Sequence, residues 1–294
     1  MSLNHWISAA RPKTLWAAVG PVAVGTAIAA GEGAADLRWA AVALLGAILL
    51  QIGTNFCNDL ADHLKGADHA GRVGPARAVA MGWISPERML VATVLTFSLA
   101  GLLCLAMVFH AGWPMLLLGA VSIAAGVAYT AGPYALAYKG LGDLFVLVFF
   151  GPVAAAGTHY VQALTYSPLA ALAGLGPGLL AVAILVVNNL RDIESDAIAG
   201  KRTLAVRFGA RAARIEYTAC ILGAAALPFL LVHMDGPHRG NALVASMVAF
   251  AAWPVLRLIW TRNGAALNPG LGMTALMLLV YSLAFSLGWL IVPR

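Results

Sequence analysis

The sequence predicts an all-α membrane protein with nine membrane-crossing helices, and three observations predict it. First, the 294 residues are 61% hydrophobic and only 10% charged, against roughly 25% charged in an ordinary soluble domain. Second, the apolar residues fall into runs of the length that crosses a bilayer, since a hydrocarbon core of about 30 Å takes about 20 helical residues. Third, the basic residues gather in alternate connections, as the positive-inside bias requires.

The predicted spans are, in order, about 14–31, 37–57, 89–110, 113–131, 141–160, 168–190, 213–233, 241–260 and 270–292. Gly132, Pro133, Gly140 and Gly142 divide the run 113–160 into two spans joined by a short loop. Gly and Pro inside the spans are acceptable where neighbouring helices satisfy the backbone, and the many Gly and Ala residues suit close helix packing. A β-barrel is excluded because the runs are too long and do not alternate. Residues 1–13, with Trp6, Arg11 and Lys13, read as an amphipathic piece at the interface or a plain connector. Residues 75–90, with Arg77, Glu87 and Arg88, read as a short helix in the second loop or a connector. The chain reads as one domain, 1–294, with no soluble appendage expected.

With the N-terminus inside, fifteen of the eighteen basic residues lie on the inner side; only Arg38, Arg239 and Arg294 fall outside. The chain is therefore expected to cross a membrane many times, with its N-terminus and the second and sixth loops cytoplasmic. The net charge of +6 does not indicate nucleic acid, because the bases are spread thinly between apolar runs. Cys57, Cys104 and Cys220 make neither a ligand pattern nor a disulfide framework.

Six of the twelve acids lie in two stretches, QIGTNFCNDLADHLKGAD (51–68) and NNLRDIESDAIAGKRT (188–203). Asn55, Asp59 and Asp62 are spaced four and three apart, so they share one helical face if the second span continues that far, with Asn58 bordering it. Gly66 permits a turn that brings Asp68 back toward them. Asn188, Asp192 and Asp196 repeat the pattern, with Glu194 pointing elsewhere. Carboxylates at a membrane edge are costly and usually functional. A cation path, a divalent-metal site and solvated loop acids all compete as readings. Lys65 beside the first cluster and Arg191, Lys201 and Arg202 beside the second favour a cation plus an anionic group. Mg²⁺ takes few protein carboxylates and shares substrate phosphates. The acids sit at the membrane edge, whereas a transporter's coupling-ion site belongs near the midplane. A substrate with a diphosphate head and a polyprenyl tail in the bilayer fits that placement.

Three stretches carry a family resemblance: Asn58-Asp59-Leu60-Ala61-Asp62 with Gly66-Ala67-Asp68, YTAGPYALAYKGLGDLFVLVFFG (129–151), and NNLRDIESDAIAGKRTLAVRFG (188–209), along with the opening RPKTL (11–15). On these the chain resembles the UbiA superfamily of intramembrane aromatic prenyltransferases, most closely its 1,4-dihydroxy-2-naphthoate branch in menaquinone synthesis. The resemblance implies nine helices around a central active-site cavity. It implies a catalytic set of Asn55, Asn58, Asp59, Asp62, Asp192 and Asp196, with Mg²⁺ held by Asp59, Asp62, Asp68, Asp192 and Asp196. It also implies transfer of a polyprenyl group from polyprenyl diphosphate to 1,4-dihydroxy-2-naphthoate, giving demethylmenaquinone, carbon dioxide and diphosphate. Homogentisate, 4-hydroxybenzoate or another ring is the alternative acceptor, and a cation-coupled transporter the more distant alternative. Where the wider superfamily often has a final aspartate four residues after Asp62, this chain has Gly66 and then Asp68, leaving both metal contact and an indirect role open for Asp68.

Lys65, Lys139, Tyr138, Arg191, Lys201 and Arg202 are the expected substrate-binding side chains. Lys139 contacts diphosphate, positions the aromatic acid, or anchors the loop; Tyr138 polarises the acceptor or sits at the interface. Asp143 is a weaker candidate for the metal, and His159 reads as a packed histidine near the opposite edge. Phe145, Phe149 and Phe150 line the isoprenoid cavity or pack against neighbours or lipid.

Overall fold

The apolar runs become helices because a helix satisfies every backbone N–H and C=O within the segment, which lipid cannot do. A computed structural model describes residues 2–67, 74 and 76–291. In chain order the helical segments are α1 (Leu3–Ala10), α2 (Trp16–Gly31), α3 (Leu37–Leu64), α4 (Pro86–Ala111) and α5 (Trp113–Ala128). They continue as α6 (Gly142–Ala163), α7 (Pro168–Arg191), α8 (Ile193–Ile198), α9 (Leu204–Asp235), α10 (Pro237–Thr261) and α11 (Gly264–Leu290). Among the described residues there is no strand.

Seven of these, α3, α4, α6, α7, α9, α10 and α11, are long and apolar enough to cross a membrane. The segment Leu3–Thr14 and α2, bent by 48° at their junction, make an eighth as a pair. The expected ninth, α5, has 16 helical residues, and at 1.5 Å per residue this covers only about 24 Å. By length and composition alone, seven described helices, or eight with the bent pair, are therefore candidates to cross the membrane. The amphipathic N-terminal piece is helical as α1, but residues 76–85 hold no helix. There the N–H groups of Ala78 and Val79 bond to a side chain of α3, and Gly82 takes φ 68, so no helical ladder forms before Pro86.

α7 is the most buried span and the axis of the bundle, packed against α9, α2 and α11. Leu180, Val187 and Leu190 of α7 meet Tyr217 and Ile221 of α9, with Phe285 and Trp289 of α11 in the same core. α4 instead turns Leu90, Val91, Val94, Leu95, Leu99 and Leu102 outward, as a lipid-facing helix should. α6 is interrupted by a π-turn at Phe149–Val153, where Gly151 has φ −124 and ψ −108. A Cβ on Gly151 would lie 2.9 Å from the Gly174 carbonyl oxygen and 3.2 Å from Gly178 Cα, so only glycine lets α6 lie against α7 here. Such turns are frequent at functional sites, and Phe149, Phe150 and Val153 of this one face the central cavity.

Candidate active site

The polar stretch Asn58–His63 stays helical, so α3 continues seven residues past its expected end. Its last turns carry Asn55, Asn58, Asp59 and Asp62, all buried, and Gly66 at φ 68 ends the helix in a turn. Burying two aspartates requires partners on every side, and the structure supplies them.

Asp62 is the hub. Its Oδ2 accepts from Arg77 Nη2 at 2.8 Å and Lys201 Nζ at 3.3 Å, and its Oδ1 from Tyr138 Oη at 2.8 Å. Three separate connections thus converge on one carboxylate that is 2% exposed. Asn58 Oδ1 accepts from Thr130 Oγ1, and Asn55 Nδ2 donates to the Ala10 carbonyl at 3.0 Å and Thr14 Oγ1 at 3.3 Å. Asp68 lies outside the described residues.

The second cluster keeps its spacing through a break. α7 ends at Arg191, Asp192 departs from helical geometry (φ −99, ψ 13), and α8 resumes at Ile193. The N–H of Asp192 still bonds to Asn188 and that of Asp196 to Asp192, and all three side chains line one cavity. Glu194 is exposed, as its position on the opposite face requires. Arg191 grips Asp192 through Nε at 2.8 Å and Nη2 at 2.6 Å, and reaches Asn268 Oδ1 at 3.1 Å. Gly200 at φ 72 turns the chain so that Lys201 meets Asp196 at 3.7 Å and Asp62 at 3.3 Å.

The two clusters form the polar mouth of one cavity of about 340 Å³. Arg11, Arg77, Arg191 and Lys201 stand beside Asp62, Asp192 and Asp196 there. Deeper, the walls are apolar: Ala43, Gly46 and Leu50 of α3, Phe145 and Phe149 of α6, and Met107 of α4.

Five of the expected site residues do not line the cavity. Asp59 does not face the cavity: its Oδ2 and Oδ1 accept the N–H groups of Ala78 at 3.0 Å and Val79 at 3.1 Å, so backbone donors hold the oxygens assigned to metal. Lys65 is committed to the carbonyls of Thr130 at 2.6 Å and Gly132 at 3.2 Å, over the Tyr138 ring. Its ammonium is pushed below the ordinary lysine value by partial burial, with Asp62 opposing that shift. Lys139 is exposed over the Tyr134 ring, and Arg202 is exposed with its backbone N–H on the Tyr138 carbonyl. Neither lines the cavity. Tyr138 is also absent from the cavity wall; it meets the site through its hydroxyl on Asp62 and its ring under Lys201 Nζ.

Arg77 is the contact that spacing could not reveal. It lies in the stretch 75–90, expected as a short helix or a connector, and counted there only among the inner basic residues. Asp143 lines the cavity and has a buried Oδ1 with no hydrogen-bond partner among the described residues. His159 is fully buried and bonds Glu32 Oε2 through Nε2 at 2.7 Å, away from this cavity, in keeping with a packed histidine.

Among the described residues no three acidic, histidine or cysteine side chains form a ready-made metal cluster. The donors at the mouth, Asn58, Asp62, Asp192 and Asp196, are nonetheless hard oxygens, and the adjoining cations suit an anion. That set fits Mg²⁺ arriving with a phosphate-bearing ligand, since Mg²⁺ commonly takes one or two carboxylates and completes its shell with phosphate and water.

Comparison with known proteins agrees with this picture. Residues 18–277 match the UbiA prenyltransferase family. The chain is 40% identical to the 1,4-dihydroxy-2-naphthoate octaprenyltransferase of Mycobacterium tuberculosis, covering 96% of each. It is 39% identical to the enzyme of that name from Escherichia coli, over 96% of this chain and 94% of the other. Among solved structures, a UbiA homolog from Aeropyrum pernix superposes with TM-score 0.68 at 15% identity, covering 97% of this chain and 98% of that one. A UbiA homolog from Archaeoglobus fulgidus bound to DMAPP and Mg²⁺ gives TM-score 0.63 at 20% identity, covering 95% and 98%. At these identities the two structures speak for the fold.

Proposed function

Because the chain belongs to the UbiA prenyltransferase family, we propose that it transfers a polyprenyl group from polyprenyl diphosphate to 1,4-dihydroxy-2-naphthoate in menaquinone synthesis. One observation supports this most: Asp62, Asp192 and Asp196 stand beside Arg77, Arg191 and Lys201 at the mouth of a single apolar cavity. A charged diphosphate head belongs at such a mouth and an isoprenoid tail below it. The names of the relatives from Mycobacterium tuberculosis and Escherichia coli supply the acceptor.

Asn58, Asp62, Asp192 and Asp196 are the residues that would hold Mg²⁺, which when bound shields diphosphate charge and makes it a better leaving group. Arg77 and Lys201 orient the diphosphate and take up charge as the C1–O bond breaks. The apolar walls keep water from the allylic cation. The ring carbon bearing the carboxylate forms the new C–C bond, and the electrons of the departing C–CO₂ bond restore the aromatic ring. Naphthoate anion and prenyl diphosphate then give prenylated quinol, carbon dioxide and diphosphate, balanced in charge without a general base. This suits a mouth lacking a free histidine among the described residues.

The chain would cross a bacterial inner membrane nine times, with its N-terminus and both acid-rich clusters cytoplasmic. α5 supplies the ninth crossing in this reading. α4 leaves the Asp62 end at Ser85, and Thr130, just past α5, is back at that end against Lys65. The N–H of Ala131 on the Val127 carbonyl carries a helix-like turn beyond Ala128.

Purified protein in nanodiscs with dihydroxynaphthoate, Mg²⁺ and prenyl diphosphates of several lengths tests the reading, with products followed by mass spectrometry. Prenylated naphthoquinol and diphosphate are expected, and chelation should stop the reaction. Product formation from 4-hydroxybenzoate or homogentisate but not from dihydroxynaphthoate would overturn the acceptor. No prenylated product from folded protein on any ring would overturn the activity.

A further inference from the structure

Asp59 is 1% exposed and absent from the cavity wall, yet it occupies the first acidic position of the cluster. Its two oxygens accept adjacent N–H groups, Ala78 and Val79, so both buried oxygens are satisfied by backbone donors. The register of this contact matters. One residue before Ala78 is Arg77, and three residues after Asp59, nearly one turn along the same face of α3, is Asp62. Fixing Ala78–Val79 on Asp59 therefore brings the Arg77 guanidinium to Asp62, where Nη2 lies 2.8 Å from Oδ2.

The surroundings make the segment a packed plug. Ala78, Val79 and Ile84 are buried with Phe56 and Leu60 of α3 and Ala9 of α1. Trp83 stacks on His5 at 4.8 Å, and the N–H groups of Trp83 and Ile84 both return to the Ala78 carbonyl. Apolar packing gives the plug its depth but is non-directional. The paired hydrogen bonds to Asp59 fix its register along α3.

We propose that Asp59 is a positioning residue that holds the Ala78–Val79 backbone and so sets Arg77 against Asp62 at the mouth of the cavity, without itself ligating metal. This rests on the prenyl-transfer reading for its kinetic consequence, while its structural consequence stands apart from activity. An asparagine at 59 offers one acceptor oxygen and turns an N–H₂ group toward the other donor, so the pair of bonds is lost.

Hydrogen–deuterium exchange on the ligand-free protein tests the anchor. In Asp59→Asn, a peptide covering residues 78–84 should exchange at least about tenfold faster, while Arg77→Met leaves it protected; unchanged exchange in Asp59→Asn overturns the proposal. Kinetics test the relay. Asp59→Asn and Arg77→Met should each raise KM for prenyl diphosphate about tenfold, leave KM for the aromatic acid unchanged, and show no further loss when combined. The Mg²⁺ concentration for half-maximal rate should stay within about twofold in Asp59→Asn and rise in Asp62→Asn. A rise in Asp59→Asn matching that of Asp62→Asn would make Asp59 a ligand and overturn the proposal, as would a normal KM in Arg77→Met should Asp59→Asn fail to fold. If the wild-type protein transfers no prenyl group, the function above fails and the exchange experiment still decides the anchor.

Discussion

Lys201 Nζ lies 3.3 Å from Asp62 Oδ2, joining residues 139 apart in the chain. The same ammonium lies 3.7 Å from Asp196 and 5.1 Å from the centroid of the Tyr138 ring. One lysine therefore bridges the two acidic clusters and is positioned to neutralise an anion between them. Hydrogen bonds to charged groups contribute about 1.5–3 kcal/mol each. Lys201→Met should then cost about 10- to 100-fold in kcat/KM with prenyl diphosphate, with the protein still folded in detergent. A Lys201→Met protein with wild-type kcat/KM would remove Lys201 from the substrate site.

Much of this site was legible because helical spacing survives burial. Asn188, Asp192 and Asp196 line one wall as their spacing of four requires, and Glu194 points out for the same reason. The end of α3 was less legible. Hydropathy reads Asn58–His63 as loop, but each buried polar group there finds a partner from another element, and the helix persists. Arg77 and Thr130 reach Asp62 and Asn58 from distant connections, and no local pattern announces such contacts. Lys139 and Arg202, both exposed and off the cavity wall, are the opposite case, since a basic residue in an inner loop obeys the charge bias whether it faces substrate or solvent.

Asp62 accepts from three donors and lines the cavity, so removing its charge leaves buried cations facing one another. Asp62→Asn should lower kcat by about 100-fold, the upper range for losing a residue that supports a metal site. The activity that remains should need more Mg²⁺. Titrating Mg²⁺ against initial rate for both proteins measures this, and an unchanged Mg²⁺ requirement would place the metal elsewhere.

The contact between α6 and α7 at Gly151 offers a test of packing. A methyl group there meets the Gly174 carbonyl at 2.9 Å and Gly178 Cα at 3.2 Å, both backbone atoms that cannot rotate away. Overpacking of this kind costs about 1–3 kcal/mol. Gly151→Ala should therefore unfold at lower temperature than wild type in the same detergent. It should also lose activity, because the π-turn presents Phe149, Phe150 and Val153 to the cavity. An unchanged Tm would mean the two helices separate without cost.

Gly46 sits on the cavity wall, and a Cβ built there meets nothing within 4 Å. It differs from Gly119, where a Cβ would run into the Cys104 side chain. A leucine at 46 can fold in place and extend into the space assigned to the prenyl tail. The diphosphate end, at Asp62 and Lys201, is four turns further along α3 and would be untouched. Gly46→Leu should therefore keep activity with a short donor such as geranyl diphosphate and lose about tenfold or more in kcat/KM with long-chain donors, the scale on which a pocket discriminates by added or missing carbons. Measuring kcat/KM across donor lengths tests this. A uniform loss at every length would assign the effect to the fold, and no loss at any length would route the tail along another wall.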